Sequence, residues 1–429
     1  MRIIIVGAGL GGLAAGLCFA RDGHTVQIFE QRPALSRKGS GLGIRPGAAR
    51  ILQSWGLHES IDSVADRMPP FVVRDLRSGA MKMRNVPGPA SEGPDWGIPR
   101  PVLQDILYRE AVQAGCIVSF DALVEDIVDG EWPSVKPSVR LRGSRGDTIV
   151  HADLVLVADG IRSRLRSRVL DVPVDPILTH TVFYGIHVSE SLLQADREAS
   201  CLLSQTEPTV WADKNRFVVA RRPSKFPFWQ GLYGLQAEDD GSSSRLWDED
   251  GDINLVRKAF AGICPELEAA LHLATSCDRW KIAEMPDLPS WRSKSGAVLL
   301  LGDAAHAMQP NAAQGLSQII EDIGVLHLLL KTSNLPLPIL TGLWEEIRKP
   351  RVERIKAYAA WNTRMYLGQR SQRNKDRKTP SSEEDQWKSM REVVPDASAP
   401  FNSPSFFKWA HDYDAVSEVC WLLSKSPSY

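Results

Sequence analysis

Short apolar runs that end in a turn recur along the chain, and stretches with helical spacing of apolar residues follow them. These runs lie at residues 3–6, 25–29, 154–157 and 297–301. Continuous apolar runs of this length are typical of strands buried on both faces, as in a parallel sheet covered by helices. The pattern predicts an α/β protein with a doubly wound sheet.

Other segments alternate apolar and polar residues, which is the pattern of half-buried strands. They include Phe71–Leu76, Thr181–Ile186 and Arg216–Ala220. We expect them to form a smaller α+β domain, interdigitated with the doubly wound domain, whose sheet covers the ligand. The predicted division is residues 1–70, 100–170 and 285–370 for the doubly wound domain, 71–99 and 171–284 for the smaller domain, and 371–429 for a charged connection and a C-terminal helix.

Composition narrows the class of protein. The 429 residues are 43% hydrophobic, enough for a full core, and the net charge of −1 argues against a nucleic-acid partner. Six cysteines show neither a paired framework nor metal-ligand spacing, so we expect a cytoplasmic protein without a bound metal. A monomer or a homodimer is expected.

Residues 3–20 could also be read as a signal peptide or a membrane span. Five glycines would make a poor spanning helix, and Asp22-Gly23-His24 leads into another strand instead of a cleavage site. The basic residues between 370 and 378 could touch a membrane, but a solvated surface is the simpler interpretation. We therefore expect no stable membrane insertion.

The first strand runs into a G-x-G-x-x-G turn. Gly7 suits the tight turn, Gly9 the close approach of a pyrophosphate, and Gly12 the packing of helix on sheet. Glu30 closes the second strand, where an acid binds a ribose hydroxyl. This order of strand, turn, helix, strand and acid predicts a dinucleotide site.

The segment GDAAHAMQPNAAQGLSQIIED at residues 302–322 is a second binding device. Gly302 lets the chain turn around a ligand, Asp303 offers an acceptor for a sugar hydroxyl, and Pro310 stiffens a loop. The backbone from Asn311 to Gly315 can aim N–H groups at one point. Those donors precede a predicted helix, whose dipole favours negative charge.

A third turn follows the apolar run 154–157. Asp159 and Gly160 end that strand, and a basic, helix-like stretch follows. Such a turn can hold phosphate or ribose oxygens through backbone N–H groups and the Asp159 carboxylate.

Together the three segments resemble the single-component FAD-dependent aromatic hydroxylases, which include salicylate and para-hydroxybenzoate hydroxylases. The resemblance covers about residues 1–370 and includes FKWAHDYDA at 407–415, and QGLSQIIEDIGVL is most similar to fungal natural-product members. It implies FAD bound by residues of all three segments and by Arg100, with Pro310 beside the isoalloxazine ring. The implied FAD ligands are Gly7, Gly9, Gly12, Glu30, Arg100, Asp159, Gly302, Asp303, Asn311 and Gly315. Val157 stands where the family usually has glycine.

The implied substrate pocket departs from the family. Phe217 and Arg221 occupy the positions where a His and a Tyr often face a phenolic substrate, and Tyr184 replaces a common Arg. The resemblance therefore implies Arg221, Tyr184 and Pro310 as catalytic residues and Arg45, Phe217 and Arg221 as pocket residues. A cation among apolar walls suits a substrate that is already electron-rich or arrives as an anion. A solvated strand-edge charge is the alternative for Arg221.

The implied activity is that of a monooxygenase using NAD(P)H and dioxygen. Through a flavin C4a-hydroperoxide it would hydroxylate or epoxidise an electron-rich aromatic, indole, enol or alkaloid-like small molecule, in secondary metabolism. Two alternatives stay open: a reductase of the same fold that acts without oxygen, and a flavin-binding protein without turnover. A halogenase is disfavoured because the Trp-x-Trp-x-Ile-Pro motif is missing.

Overall fold

A computed structural model describes residues 1–68, 71–85, 93–143, 146–236, 249–367 and 393–425. The expected charged connection between 371 and 392 lies outside these residues. The strands are β1 (Arg2–Val6), β2 (Thr25–Phe29), β3 (Gly41–Ile44), β4 (Asp66–Arg67), β5 (Phe71–Asp75), β6 (Met81–Asn85), β7 (Trp96–Pro99), β8 (Ile117–Ser119), β9 (Val124–Val128), β10 (Ser138–Leu141), β11 (Thr148–His151), β12 (Leu154–Val157), β13 (Ile177–Ser189), β14 (Thr209–Asp213), β15 (Arg216–Arg221), β16 (Phe228–Gln236), β17 (Glu249–Gly251), β18 (Cys277–Glu284) and β19 (Val298–Leu300).

The helices are distributed along the whole described chain. They are α1 (Leu10–Arg21), α2 (Pro46–Ser54), α3 (His58–Asp62), α4 (Arg100–Gln113), α5 (Arg166–Leu170), α6 (Glu190–Ala195), α7 (Ile253–Ala259), α8 (Pro265–Leu273), α9 (Asp303–His306), α10 (Gly315–Thr332), α11 (Leu337–Tyr366), α12 (Pro404–His411) and α13 (Ala415–Lys425). In the described part of the chain, no helix is long and apolar enough to cross a membrane.

The predicted doubly wound sheet is confirmed. Its strand order is β19-β12-β1-β2-β8 and all its pairs are parallel. Its central strands are buried. Helix α1 packs on β1 and β2, and α4 and α10 pack on α1. Val157, the departure from the family, is completely buried and pairs with Val6 and Leu300. Since the strands are parallel, their carboxyl ends all lie at one edge.

A second sheet has the order β17-β18-β13-β16-β15-β14-β5-β6 and is antiparallel except for the pair β14 and β5. One face packs on α7 and α8 in a separate hydrophobic cluster. The other face looks toward the first sheet. A small sheet, β3-β7-β4, lies beside both, so Trp96–Pro99 pairs with β3 and β4 and not with the second sheet.

The C-terminal segment, residues 393–425, packs against the body of the protein. Arg351 of α11 donates to the carbonyl oxygens of Trp409 (3.1 Å) and Ala410 (3.1 Å). Its guanidinium carbon lies 4.0 Å from the centre of the Tyr413 ring. These contacts seat α12 and Tyr413 against α11, and α13 packs on α10.

Candidate active site

The predicted FAD residues lie together where the parallel strands end. Gly7 follows β1, Glu30 follows β2, Asp159 follows β12, and Gly302 and Asp303 follow β19. Residues separated by up to about 300 positions thus share one edge because parallel strands end on the same side.

The G-x-G-x-x-G turn is tightly packed at two of its three glycines. Gly7 has φ +101°, and a Cβ atom there would lie 2.6 Å from the Ala158 carbonyl oxygen. A Cβ atom at Gly12 would lie 1.9 Å from the carbonyl oxygen of Gly7. The Glu30 carboxylate accepts the Ala8 N–H at 2.8 Å, so the acid braces this turn.

A cavity of about 3150 Å³ opens in front of these strand ends. A Cβ atom at Gly9, Gly160 or Gly315 would meet no described atom within 4 Å, although all three residues line the cavity. The backbone therefore offers a cradle that a ligand can approach closely, which fits an FAD pyrophosphate and its neighbouring groups.

Two carboxylates face this cradle. Asp303 lies deep in the molecule, yet its side chain is exposed to the cavity. Burial raises the pKa of Asp303, and His306, Arg100 and Arg166 partly oppose the rise. Burial also raises the pKa of Asp159, to about 6, against hydrogen bonds that stabilise the carboxylate. Among the described residues, its Oδ1 atom has no hydrogen-bond partner.

Arg166 joins the turns that carry these acids. Its Nε atom donates to the Ala304 carbonyl oxygen at 2.7 Å and its Nη2 atom to that of Ile161 at 2.6 Å. The side chain is almost completely buried. Arg166 therefore ties the turn after β12 to the turn after β19. The sequence pattern alone did not indicate this role.

The loop before α10 is held from one side by α11. The Asn311 side chain donates to Thr363 Oγ1 at 2.8 Å, and Asn362 donates to the Asn311 carbonyl oxygen at 3.0 Å. Ala313 has φ +49°, which turns the chain into α10 at Gly315. The residue before the helix, Gln314, makes no side-chain cap, so the first N–H groups of α10 remain beside the cavity.

Two predicted cations line the cavity but already have partners. Arg100 Nη1 donates to the Lys38 carbonyl oxygen at 3.3 Å, and its side chain lies across Gly39. Arg45 forms an ion pair with Asp95 at 3.1 Å. Burial raises the pKa of Asp95, and Arg45 limits the rise. Arg45 is thus a paired wall residue.

Two residues of the second sheet that were predicted to face the substrate, Tyr184 and Phe217, do not line the cavity. Tyr184 points to the opposite face, into the cluster under α7 and α8, because Phe183 and Gly185 are the residues of β13 that face the cavity. Phe217 is completely buried behind the wall, with its ring centre 5.5 Å from that of Phe183. Arg221 does line the cavity.

Part of the cavity wall was missed at the sequence level. Tyr358 and Trp361 of α11 and Phe407 and His411 of α12 line it. Burial, with the cations Arg45 and Arg351, holds the pKa of His411 well below its usual value. The aromatic run at 406–413 was the available signal, but only the docking of α12 shows that it reaches the site.

Comparison with known proteins identifies the family of this chain. A family model described as an FAD binding domain matches residues 1–332. The FAD-dependent monooxygenase OpS4 of Beauveria bassiana (strain ARSEF 2860) is 27% identical over 97% of this chain and 96% of its own length. The 3-amino-4-hydroxybenzoate 2-monooxygenase PtmB3 of Streptomyces platensis is 31% identical over 82% of this chain and 85% of its own length.

The fold agrees as well. The crystal structure of CtdE in complex with FAD and substrate 4 superposes with a TM-score of 0.81 at 22% identity, covering 99% of this chain and 98% of that one. The family match spans more than half of the chain, and OpS4 aligns over nearly its whole length. The chain belongs to the FAD-binding domain family and is an FAD-dependent monooxygenase.

Proposed function

We propose that this monooxygenase uses NAD(P)H and dioxygen to hydroxylate or epoxidise an electron-rich aromatic, indole or enol in secondary metabolism. The observation that carries the proposal is the cavity. At about 3150 Å³ it exceeds the roughly 300–1,000 Å³ of a usual ligand pocket, so it has room for a dinucleotide and a second molecule together. The names of OpS4 and PtmB3 support the same class of reaction.

The dinucleotide half of the cavity would hold FAD. Gly9 and Gly160 would let the backbone approach its phosphates, and Glu30, Asp159 and Asp303 would accept hydrogen bonds from its hydroxyls. When bound, FAD supplies the reaction of its reduced form with dioxygen, which yields an oxygen atom that electron-rich carbon can attack.

The start of α10 would stabilise negative charge in this site. Its first N–H groups, from Gly315 onward, lie beside the cavity and carry the positive end of the helix dipole. Asn311 and Pro310 precede them in a loop held by α11. The loop therefore keeps these donors in place without help from the ligand.

The face of the second sheet would bind the substrate. Phe183, Val219 and Leu232 give it an apolar surface, and Arg221 adds one cation. The strand position that Phe217 occupies holds no proton acceptor. Because no base is available there, we propose a substrate whose reacting carbon is already electron-rich.

Product analysis under labelled dioxygen tests this function. The holoenzyme is incubated with NADH or NADPH and a panel of phenols, indoles and enols, and products are identified by mass. We expect a substrate that accelerates NAD(P)H oxidation and gains one labelled oxygen atom. Equal turnover without oxygen, giving a reduced product, would contradict the proposal and favour a reductase. Heat-denatured enzyme is the control.

A further inference from the structure

The cavity face of the second sheet is organised in rows that cross three strands. Residues directly opposite one another on β13, β16 and β15 define each row. The apolar row is Phe183, Gly234 and Phe217, extended by Trp280 on β18. Phe183 and Trp280 line the cavity, whereas Phe217 lies behind Phe183. The middle row is Gly185, Leu232 and Val219, and the polar row is His187, Gln230 and Arg221.

The three rows lie at fixed spacing along the strands. Successive rows are two residues apart, and a strand rises by about 3.3 Å per residue, so the apolar and polar rows are about 13 Å apart. A Cβ atom at Gly185 would lie 2.6 Å from the Trp280 ring, so the indole covers this glycine. The face is therefore apolar over two rows and polar at one end.

The apolar row lies at the end of the cavity that holds the loop before α10. Gln309 of that loop donates to Glu284, the last residue of β18, at 3.0 Å. Tyr366 of α11 packs on Phe217 with ring centres 5.8 Å apart, and α11 is the helix that holds Asn311. A ring bound over Phe183 and Trp280 would therefore lie beside this loop and α11.

The polar row carries a cation that is incompletely paired. Arg221 is 9% exposed, and its Nη1 atom lies 3.3 Å from Met68 Sδ. Its Nη2 atom is buried and has no hydrogen-bond partner among the described residues. Asp66 lies 3.7 Å from Nη2, but its two oxygens also accept the Ser224 N–H. A Cβ atom at Gly97 would lie 1.9 Å from Arg221 Nη1, so the guanidinium is fixed against the backbone of β7.

Gln230, the neighbour of Arg221 in the polar row, also lies against the backbone of a glycine. A Cβ atom at Gly41 would lie 2.4 Å from its Nε2 atom, and the side chain is 7% exposed. Arginine and glutamine side chains both donate hydrogen bonds from nitrogen, and both would act on an acceptor oxygen. His187 completes the row at the more exposed side of the sheet.

We propose that this face selects an elongated substrate, with its oxidised ring over the apolar row and an acceptor oxygen, carboxylate or carbonyl, bound by Arg221 and Gln230 about 13 Å away. This inference rests on the proposed function and specifies its substrate class. It predicts that a single small ring fills only part of the site.

Binding of a length series tests it. The probes are indol-3-yl alkanoic acids of increasing chain length, with the methyl amide and the alkane of each, and binding to the holoenzyme is followed by the flavin absorbance change. The dissociation constant of the acids or amides should pass through a minimum as the chain length increases. At that length the wild type should bind the acid or amide at least about tenfold more tightly than the alkane.

Variants of two neighbouring arginines give a matched comparison. Arg221→Met should remove the preference for the acceptor group, whereas Arg222→Met should keep it, because Arg222 donates to Glu190 at 2.8 Å and to the Leu203 carbonyl oxygen. If Arg221→Met loses affinity only for the acids, the group that Arg221 binds is a carboxylate. If it loses affinity equally for the amides, that group is a carbonyl. If Arg221→Met does not fold with FAD, Gln230→Leu replaces it, with a smaller loss of the same preference expected.

Affinity that is independent of chain length, or a preference that survives in Arg221→Met and in Gln230→Leu, would overturn the inference. The same probes are then supplied with NAD(P)H and labelled dioxygen. Length-dependent binding without any oxygenated product would count against the proposed function alone. Oxygenated products without length dependence would count against the inference alone.

Discussion

Arg348 donates from its Nε atom to the Oδ1 atom of Asp322 at 2.8 Å, and both side chains are completely buried. The other oxygen of Asp322 lies 2.7 Å from His306 Nε2. This network joins α11, α10 and the α9 turn that follows Asp303. Burial alone would raise the pKa of Asp322, but His306 and Arg348 outweigh burial and hold that pKa below its usual value.

Arg348→Met should lower the free energy of unfolding by about 3–5 kcal/mol, because it removes from the buried Asp322 carboxylate one of its two side-chain partners. Asp322 has a lowered pKa, so its paired form stabilises the fold above its unfolded-state pKa and less as the pH falls. The difference between variant and wild type should therefore shrink toward acid pH. Urea denaturation measures it. Lys349→Met removes a partly exposed ion pair with Glu353 on the same helix, so it should lower the free energy of unfolding by less than about 1 kcal/mol.

Gly9→Val and Gly12→Ala should separate cofactor binding from folding. Gly9 has ordinary backbone angles and open space before it, so Gly9→Val should fold normally and lose most of its FAD. In Gly12→Ala the new methyl group would overlap the Gly7 carbonyl oxygen, so the fold itself should lose stability. FAD released per protein and the apoprotein melting temperature distinguish the two. Full FAD content in Gly9→Val would contradict the site.

Asp159→Asn should change how apoprotein stability depends on pH. The pKa of Asp159 is raised to about 6 by burial, so its contribution to stability is fully present below the unfolded-state pKa and falls as the pH rises through 6. The asparagine variant should match the wild type near pH 4 and exceed it by about 1–3 kcal/mol at pH 7.5. Urea denaturation of both apoproteins at the two pH values would show it. If the free energies of unfolding of the two apoproteins changed equally with pH, this prediction would be wrong.

Tyr184→Phe should leave turnover and substrate affinity unchanged, because the side chain faces α7 and α8 and not the cavity. Phe217→Ala should instead cost about 3–5 kcal/mol of unfolding free energy, as for other large buried residues. Steady-state kinetics and thermal denaturation of both variants check this pair. A large loss of turnover in stable Tyr184→Phe would restore that residue to the active site.

Gly47→Ala should loosen the C-terminal segment. A Cβ atom at Gly47 would lie 2.6 Å from the Tyr413 carbonyl oxygen, which Arg50 also binds at 2.7 Å. We expect faster proteolysis within residues 393–425 than in the wild type, and Arg50→Met should show the same change. Cleavage at the wild-type rate in both variants would mean that other contacts, such as those of Arg351, hold the segment alone.

The sequence was sufficient for features that depend on neighbouring residues. Apolar runs and glycine turns predicted β1, β2, β12 and β19, and the family resemblance implied that Gly7, Gly9 and Asp303 share one site. Such predictions hold because strand burial and turn geometry are set locally, and because parallel strands must end at a shared edge.

What only the tertiary structure decided involves contacts between distant segments. Alternation showed that β13 has two faces, but only the packing of α7 and α8 shows that Tyr184 lies on the covered one. The pairing of Arg45 with Asp95, the burial of Phe217 behind Phe183, and the arrival of His411 at the cavity depend equally on long-range docking. The sequence indicates which residues are chemically able to bind a ligand. The packing of elements that are distant in the sequence decides which of these residues line the same cavity.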